Sequence, residues 1–247
     1  MLLSDGKVKI ELLEEDFRLF FDAKEVPRSV RTLGEMEAVA MDKNFFKSRE
    51  VKKDQAVYYM YRGLREKENI RYDLTVIPPF SIGMEFVKTF GHYHPKAVGD
   101  LSYCEVYEVL SGNAHYLLQL KKAKTVAEVA LVKAAAGDLL IIPPNWGHVT
   151  INPSKKILVM ANLVNMYFDA DYAEYKKMNG AVYFEDVDGR IIFNRKYVVC
   201  PPIRIFDADS FGSQFEVYPM LKGRSLLDVL NESSNLVSFL DNPNLLR

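Results

Sequence analysis

The sequence has few of the residues that build ready-made sites. Its 247 residues include two cysteines, one tryptophan and four histidines. Cys104 and Cys200 form neither a CxxC pair nor a disulfide framework, so both read as reduced thiols in a cytoplasmic protein. Surplus positive charge is also lacking. Lys plus Arg number 32 against 33 acids, a net charge of −1, so nucleic acid is not an expected partner. The short basic runs Lys121-Lys122-Ala123-Lys124 and Lys176-Lys177 read as solvated faces. Long hydrophobic runs are missing too. Leu139-Leu140-Ile141-Ile142 is far too short to span a bilayer, and the opening MLLSDGKVKIELLEEDF carries acid where a secretory signal needs an apolar stretch. No repeat and no glycine-rich phosphate loop occurs, so a nucleotide cofactor is not expected. No histidine adjoins Cys104 in sequence, and nothing supports nucleophilic Ser or Cys catalysis. What remains is ordinary globular composition, 49% hydrophobic and 26% charged, in a chain long enough for a large core.

The dominant texture is β. From residue 56 onward, segments rich in Val, Ile, Tyr, Phe and Leu follow one another: AVYYMYRG, YDLTVIPP, MEFVKTF, CEVYEVL, AHYLLQL, VAEVALVKA, DLLIIPP, HVTIN and KILVMANLV. Gly, Pro, Asn or Asp separates most of them. Short strands at close spacing with turn signals predict an all-β sandwich or barrel. Ahead of it, Val8–Leu13 reads as a strand and Arg31–Met41 as a short helix. Beyond 195, PPIRIFDADSFGS reads as irregular. Ser225 caps an expected amphipathic helix near 226–240, with Leu226, Leu227, Leu230 and Leu236 at its apolar spacing. The organisation expected is an N-terminal arm over 1–50, a barrel over 51–195 and a partly helical extension over 196–247.

The histidines are His92, His94, His115 and His148. In Thr89-Phe90-Gly91-His92-Tyr93-His94 the first two stand two apart, which on a strand sets both imidazoles on one face, as a chelating pair requires. On the strand that follows, Glu105, Tyr107 and Val109 share a face, while Cys104, Val106 and Glu108 share the other. A buried Glu105 would need a partner such as a metal ion. The competing reading makes Glu105 solvent-facing and Glu108 the residue of interest. If Gly112-Asn113 closes a hairpin, Leu110 pairs with His115 and Glu105 with Leu120. His115 then falls at the turn end on the opposite face, structural or exposed. His148 opens a strand after the bend Pro143-Pro144-Asn145-Trp146-Gly147 and could complete a three-His, one-carboxylate set. Such a shell suits Fe(II), Mn(II), Ni(II) or Zn(II) with positions left for substrate or water.

His92-x-His94…Glu105…Gly112 resembles the first cupin motif, and Gly137…Pro143…His148…Asn152 the second. A narrower resemblance joins Ser29-Val30-Arg31-Thr32-Leu33-Gly34-Glu35-Met36-Glu37, Val57-Tyr58, Thr75-Val76, Thr89 to His94, Glu105-Val106-Tyr107, Leu117-Leu118-Gln119 and Pro143 to His148. Together, across roughly residues 25–175, these resemble the cupin-type glucose-6-phosphate isomerases described mainly from archaea. The resemblance implies a cupin barrel (double-stranded β-helix or jelly roll) and a divalent metal, usually iron, on His92, His94, Glu105 and His148. It implies a phosphate site near Tyr58, Thr75, Thr89 and Gly91, with Tyr107 lining the same pocket. It further implies a sugar-phosphate substrate and a homodimer. Glu105 is the one carboxylate that the sequence places at the metal. As base it would support an enediol route with Tyr107 orienting; a hydride shift needs no such base. Three departures stand out: a longer 95–104 loop, Asp169-Ala170-Asp171 where the family has a histidine just before a tyrosine, and the tail beyond 195. Two other readings fit the same metal shell, an Fe(II) dioxygenase and a non-enzymatic sugar-phosphate binder.

Overall fold

Alternating side chains serve two separate cores, and that explains the apolar runs. The computed structural model describes residues 1–4, 8–123, 125–199, 201–232 and 234–247; Lys124 and Cys200 lie outside them. Ten strands build the barrel: β1 (Arg28–Thr32), β2 (Ala56–Lys67), β3 (Ile70–Ile77), β4 (Glu105–Ser111), β5 (Asn113–Lys122), β6 (Thr125–Ala135), β7 (Leu139–Ile142), β8 (Trp146–Ile151), β9 (Leu158–Asn165) and β10 (Ile203–Asp207). One sheet has the order β7-β4-β9-β3-β2-β1 and the other β8-β5-β6-β10. All pairings are antiparallel except β6 with β10. The result is the cupin-type jelly roll that the motifs imply.

The first sheet is buried on both faces. Tyr107, Val109, Leu140, Leu158 and Met160 point into the barrel. Val106, Leu74, Val76, Ile141, Val159 and Leu163 point outward into a second core. A strand sandwiched in this way loses polar alternation and reads as a continuous apolar run, as β9 does. The second core is roofed from both ends of the chain. Ile10, Leu12 and Leu19 come from an N-terminal four-stranded sheet, and Leu226, Leu227, Val229 and Leu230 from the helix Leu226–Glu232. Truncating a fully buried leucine such as Leu230 to Ala typically costs about 2–5 kcal/mol, so this roof is part of the folded unit's stability. No helix of the described residues is long and apolar enough to cross a membrane.

Several local expectations are corrected. Ser111-Gly112-Asn113 is not a hairpin, because β7 and β9 already occupy both edges of β4 and leave none for β5. The turn is a corner that carries the chain from one sheet to the other. Gly112 (φ +84°) suits it, since a Cβ there would meet the Ile157 carbonyl at 2.7 Å. Glu105 therefore sits opposite Ile142 and Val164, not Leu120, and His115 opposite Lys133 and Ile151, not Leu110. Arg31–Met41 is not one helix. Arg31 and Thr32 end β1, and only Leu33–Met36 and the 3-10 turn Glu37–Val39 are helical. The Thr32/Glu35 capping box starts that short turn. Of MEFVKTF only Glu85–Phe86 forms a strand, paired with Ser81–Ile82. The stretch around Ile203 is not irregular, because β10 closes the edge of β6. The helix near 226–240 is shorter, Leu226–Glu232, followed by 3-10 turns over Ser234–Leu240.

Glu108 lies on the outer face of β4 and accepts the Leu226 N–H at 2.8 Å. Burial, with the nearby Asp228 charge adding to it, pushes its pKa from an ordinary 4.5 up to about 7. The folded state thus holds this proton more tightly than the unfolded chain. The stabilisation is fully present below about pH 4.5 and is lost as pH rises through about 7, a span of up to about 3 kcal/mol. In Glu108→Gln the amide oxygen can still accept from Leu226 without titrating. Denaturant titrations between pH 5 and 8 should show a falling component in the wild type that Glu108→Gln lacks, with the variant the more stable at pH 8.

Candidate metal centre and its pocket

The site begins with a backbone clasp. His92 N–H donates to the His148 carbonyl at 3.2 Å, and His148 N–H returns the bond to His92 at 3.1 Å. Lys88 bridges Ile151, and Thr89 N–H donates to the Thr150 carbonyl, so the 87–94 segment runs antiparallel beside β8. This segment is held by isolated bridges. Gly91, within it, adopts φ +83°, and a Cβ there would lie 2.5 Å from the Tyr175 ring. Only glycine fits that close approach.

The clasp sets the His92 and His148 rings 4.4 Å apart between centroids, with His94 about as far from each, at 5.3 and 5.2 Å. Glu105 projects from β4 into the same space. One ligand atom from each of His92, His94, Glu105 and His148 lies within 4.8 Å of the others. That is close to the spread of nitrogen and oxygen ligands each ~2 Å from one centre. His94 Nδ1 donates to the Tyr103 carbonyl at 2.8 Å, fixing the tautomer that frees Nε2. His94 Nε2 then stands 3.3 Å, and His148 Nε2 3.4 Å, from Glu105 Oε2. Burial above all, then neighbouring imidazole charge, drives the His92 and His148 pKa values well below the ordinary range. Both rings stay neutral with lone pairs available. His94 Nε2 and Glu105 Oε2 are buried in this cluster without a hydrogen-bond partner. Buried orphan acceptors cost free energy unless something satisfies them, and a divalent cation does so. The donor set fits a metal. Glu105 is 3% exposed and faces this cluster, whereas Glu108 belongs to the other face.

The cluster opens into a pocket lined by Tyr58, Thr75, Thr89, Gly91, Glu105, Tyr107, His92 and His148. Tyr58, Thr75, Thr89, Gly91 and Tyr107, the residues expected near a substrate, thus line one pocket. Tyr107 Oη and His148 Nε2 share a hydrogen bond at 3.1 Å, and burial beside the Glu105 charge raises the Tyr107 pKa well above the ordinary phenol range. His115 stands apart, bonded to both Glu185 oxygens at 2.9 Å, a structural pair as the sequence suggests. Cys104 is buried on the outer face, its thiol pushed up to about 12 by desolvation, and is inert.

The chain matches the Glucose-6-phosphate isomerase (GPI) family over residues 30–201. That span is well over half the sequence. The chain belongs to the glucose-6-phosphate isomerase family. It is 28% identical over 167 residues to the glucose-6-phosphate isomerase of Thermococcus litoralis, covering 67% of this chain and 84% of that protein. With the Pyrococcus furiosus glucose-6-phosphate isomerase it shares 32% over 127 residues, 51% of this chain and 63% of that one. Among solved structures, a Lactobacillus farciminis oxalate decarboxylase overlaps 43% of this chain and 28% of that chain at a TM-score of 0.33 and 19% identity, too slight a likeness to carry an argument.

In this member of the glucose-6-phosphate isomerase family the pocket also holds residues that motif reading missed. Arg62 and Asp73 line it. Asp73 is a second carboxylate, but Arg71 Nε at 2.9 Å from both its oxygens and Gly63 N–H at 2.7 Å hold it fast. Asn162 Nδ2 donates to Glu105 Oε1 at 2.7 Å and so orients the ligand carboxylate. The sequence showed only an amide in the apolar run KILVMANLV in need of a partner, not which partner. Arg62 follows Tyr58 and Met60 at period two, which was the sign for it. Phe168 packs edge-on against His94 at 4.6 Å, and Ala170 lines the pocket near Tyr172.

These contacts separate two histidines by experiment. His148→Ala should lower metal affinity by at least about tenfold, read as metal per chain in purified protein. His115→Ala should leave metal content unchanged and cost stability, about 1–3 kcal/mol, by stranding buried Glu185. Equal metal loss in both variants would contradict the assignment.

Proposed function

We propose that this chain interconverts glucose 6-phosphate and fructose 6-phosphate, using a divalent ion, Fe(II) first among Fe, Zn, Mn and Ni. The observation that carries this reading is one pocket with two unlike ends. Its metal-ligand cluster lies in the sheet rows of Glu105 and Tyr107. Its other end is lined by Tyr58, Thr75, Thr89 and Gly91, with hydroxyls and a backbone N–H as donors to a phosphate. An open-chain sugar phosphate spans such a pocket, with its carbonyl end toward the ligands and its phosphate toward the hydroxyls.

When bound by His92, His94, Glu105 and His148, the ion would supply Lewis-acid stabilisation of the charge that develops on the substrate oxygens. The chain's own groups do the rest. Glu105 is the proposed base: Asn162 holds Oε1, and Oε2, which would sit on the ion, reaches the substrate carbon when that bond loosens. From fructose 6-phosphate it takes a proton at C1, leaving an enediol, and returns the proton to C2, while a hydroxyl proton passes between O1 and O2. Tyr107, next to His148, orients those oxygens. Phe168 and Tyr172, packed around His92, keep the reacting end dry. A cytoplasmic homodimer belongs to the same proposal. Exposed Val198 and Ile205, the latter on the edge strand β10, supply apolar surface for such a contact.

The decisive assay measures glucose 6-phosphate formed from fructose 6-phosphate by metal-loaded protein, before and after chelation. Turnover should vanish with the metal and return on Fe(II) addition. Oxygen uptake without isomerisation would transfer the assignment to oxygen chemistry, and binding without turnover would make the protein a sugar-phosphate binder. In deuterated water, solvent deuterium should appear at C2 of the product. Full retention of the original hydrogen would remove Glu105 as base.

A further inference from the structure

Among the described residues, the phosphate end of the pocket has no cation in its wall. Arg62 lies at the other end. It contacts Asp73 at 3.3 Å, and Asp73 shares a cross-strand row with Asn162 and Tyr107, while Thr75 shares the next row with Met160 and Val109. Yet a phosphate ester carries close to two negative charges at neutral pH. We propose that Arg31 supplies the missing charge from one layer behind, acting through Tyr58 as a positioning residue for phosphate. This rests on the isomerase reading only for the identity of the ester.

Arg31 Nε donates to Tyr58 Oη at 3.2 Å, and Phe90 N–H donates to the same oxygen at 3.2 Å. A phenol oxygen offers two acceptor positions and one proton. Both acceptor positions are taken, so the Tyr58 proton is the one part left to face the pocket that this side chain lines. Two N–H donors also polarise the hydroxyl and strengthen it as a donor. Tyr58 is thereby fixed as a hydrogen-bond donor to an anion, with a positive charge behind it. The guanidinium is itself clamped, 5.2 Å over the Phe90 ring and 5.6 Å over that of Tyr172, both pocket residues.

Glu35 opposes this charge. Its Oε1 accepts Arg31 Nη1 at 2.9 Å, while Oε2 accepts the Thr32 N–H and hydroxyl in the capping box. Side-chain exposure is 19% for Arg31 and 46% for Glu35, so the acid is the better screened of the two. Removing the acid should sharpen anion binding and removing the base should weaken it. A merely structural pair would respond in the same direction to either loss.

The test uses full-length, metal-loaded protein, with inorganic phosphate binding followed by calorimetry beside fructose 6-phosphate kinetics. Arg31→Gln should raise the phosphate Kd and the fructose 6-phosphate KM roughly tenfold, as expected for one charge a layer away, with kcat within about twofold. Arg31→Lys should recover part of the loss, because the charge returns without the planar donor. Glu35→Gln should tighten phosphate binding by a few-fold. If Arg31→Gln does not fold, the direction of the Glu35→Gln change decides. Weaker or unchanged binding in Glu35→Gln, or unchanged binding in Arg31→Gln, overturns the inference. Wild-type protein that binds phosphate with these responses but does not isomerise the sugar would sink the isomerase reading and leave the Arg31 role standing. Normal turnover with unresponsive variants would do the reverse.

Discussion

Two backbone hydrogen bonds between His92 and His148 are the constraint on which the site depends. Each contributes only about 1 kcal/mol net. Their effect is geometric, since they bind a segment with little regular structure of its own against β8 and bring two imidazoles from distant stretches into ring contact. His94 follows from the short stretch after His92, and Glu105 from the central position of β4 between β7 and β9. A strand with neighbours on both edges cannot slip without inverting both cores, so the carboxylate is held in register by the whole first sheet.

That same position explains what could and could not be read from sequence. The ligands were legible because their chemistry is local: an HxH pair, a glutamate leading an apolar strand, a histidine after a Pro-Pro bend. Period two alone set Glu105 and Glu108 on opposite faces, but which face met the histidines was left open by the sequence. Residues whose role comes from cross-strand register were not legible. Asn162 meets Glu105 only because β9 pairs with β4, and Asp73 meets Arg62 only because of the register of β3 on β2. The same hidden sheet order turned an expected hairpin at Gly112 into a corner between sheets. Irregular-looking residues near 203 became a strand because β6 offered an open edge, which no local propensity encodes.

Charge in the pocket is distributed by layers. Apart from Glu105 and the Arg62–Asp73 pair, neutral donors and neutral imidazoles form the wall, while Arg31, Arg71 and Glu35 stand behind it or at its rim. Charges set back in this way act over several ångströms without offering a substrate a competing salt bridge. They also remain paired when no ligand is present, which spares the free protein the cost of unpaired buried ions. The absence of a lysine or arginine cluster, which gave the sequence so little electrostatic signature, reflects this layering.

The parallel pairing of β10 with β6 carries a consequence for how the chain acquires its shape. Three barrel strands, β7, β8 and β9, separate those partners along the chain. During synthesis the outer rim of the second sheet therefore emerges long before the strand that seals it. A nascent barrel would present β6 as an unpaired ribbon of N–H and C=O groups, open to pairing with a neighbouring nascent chain. Contacts so remote in sequence also slow folding, because the intervening loop must close before they form. The closing segment thus acts as the final rivet of assembly, and aggregation during biosynthesis is the hazard that its late arrival creates.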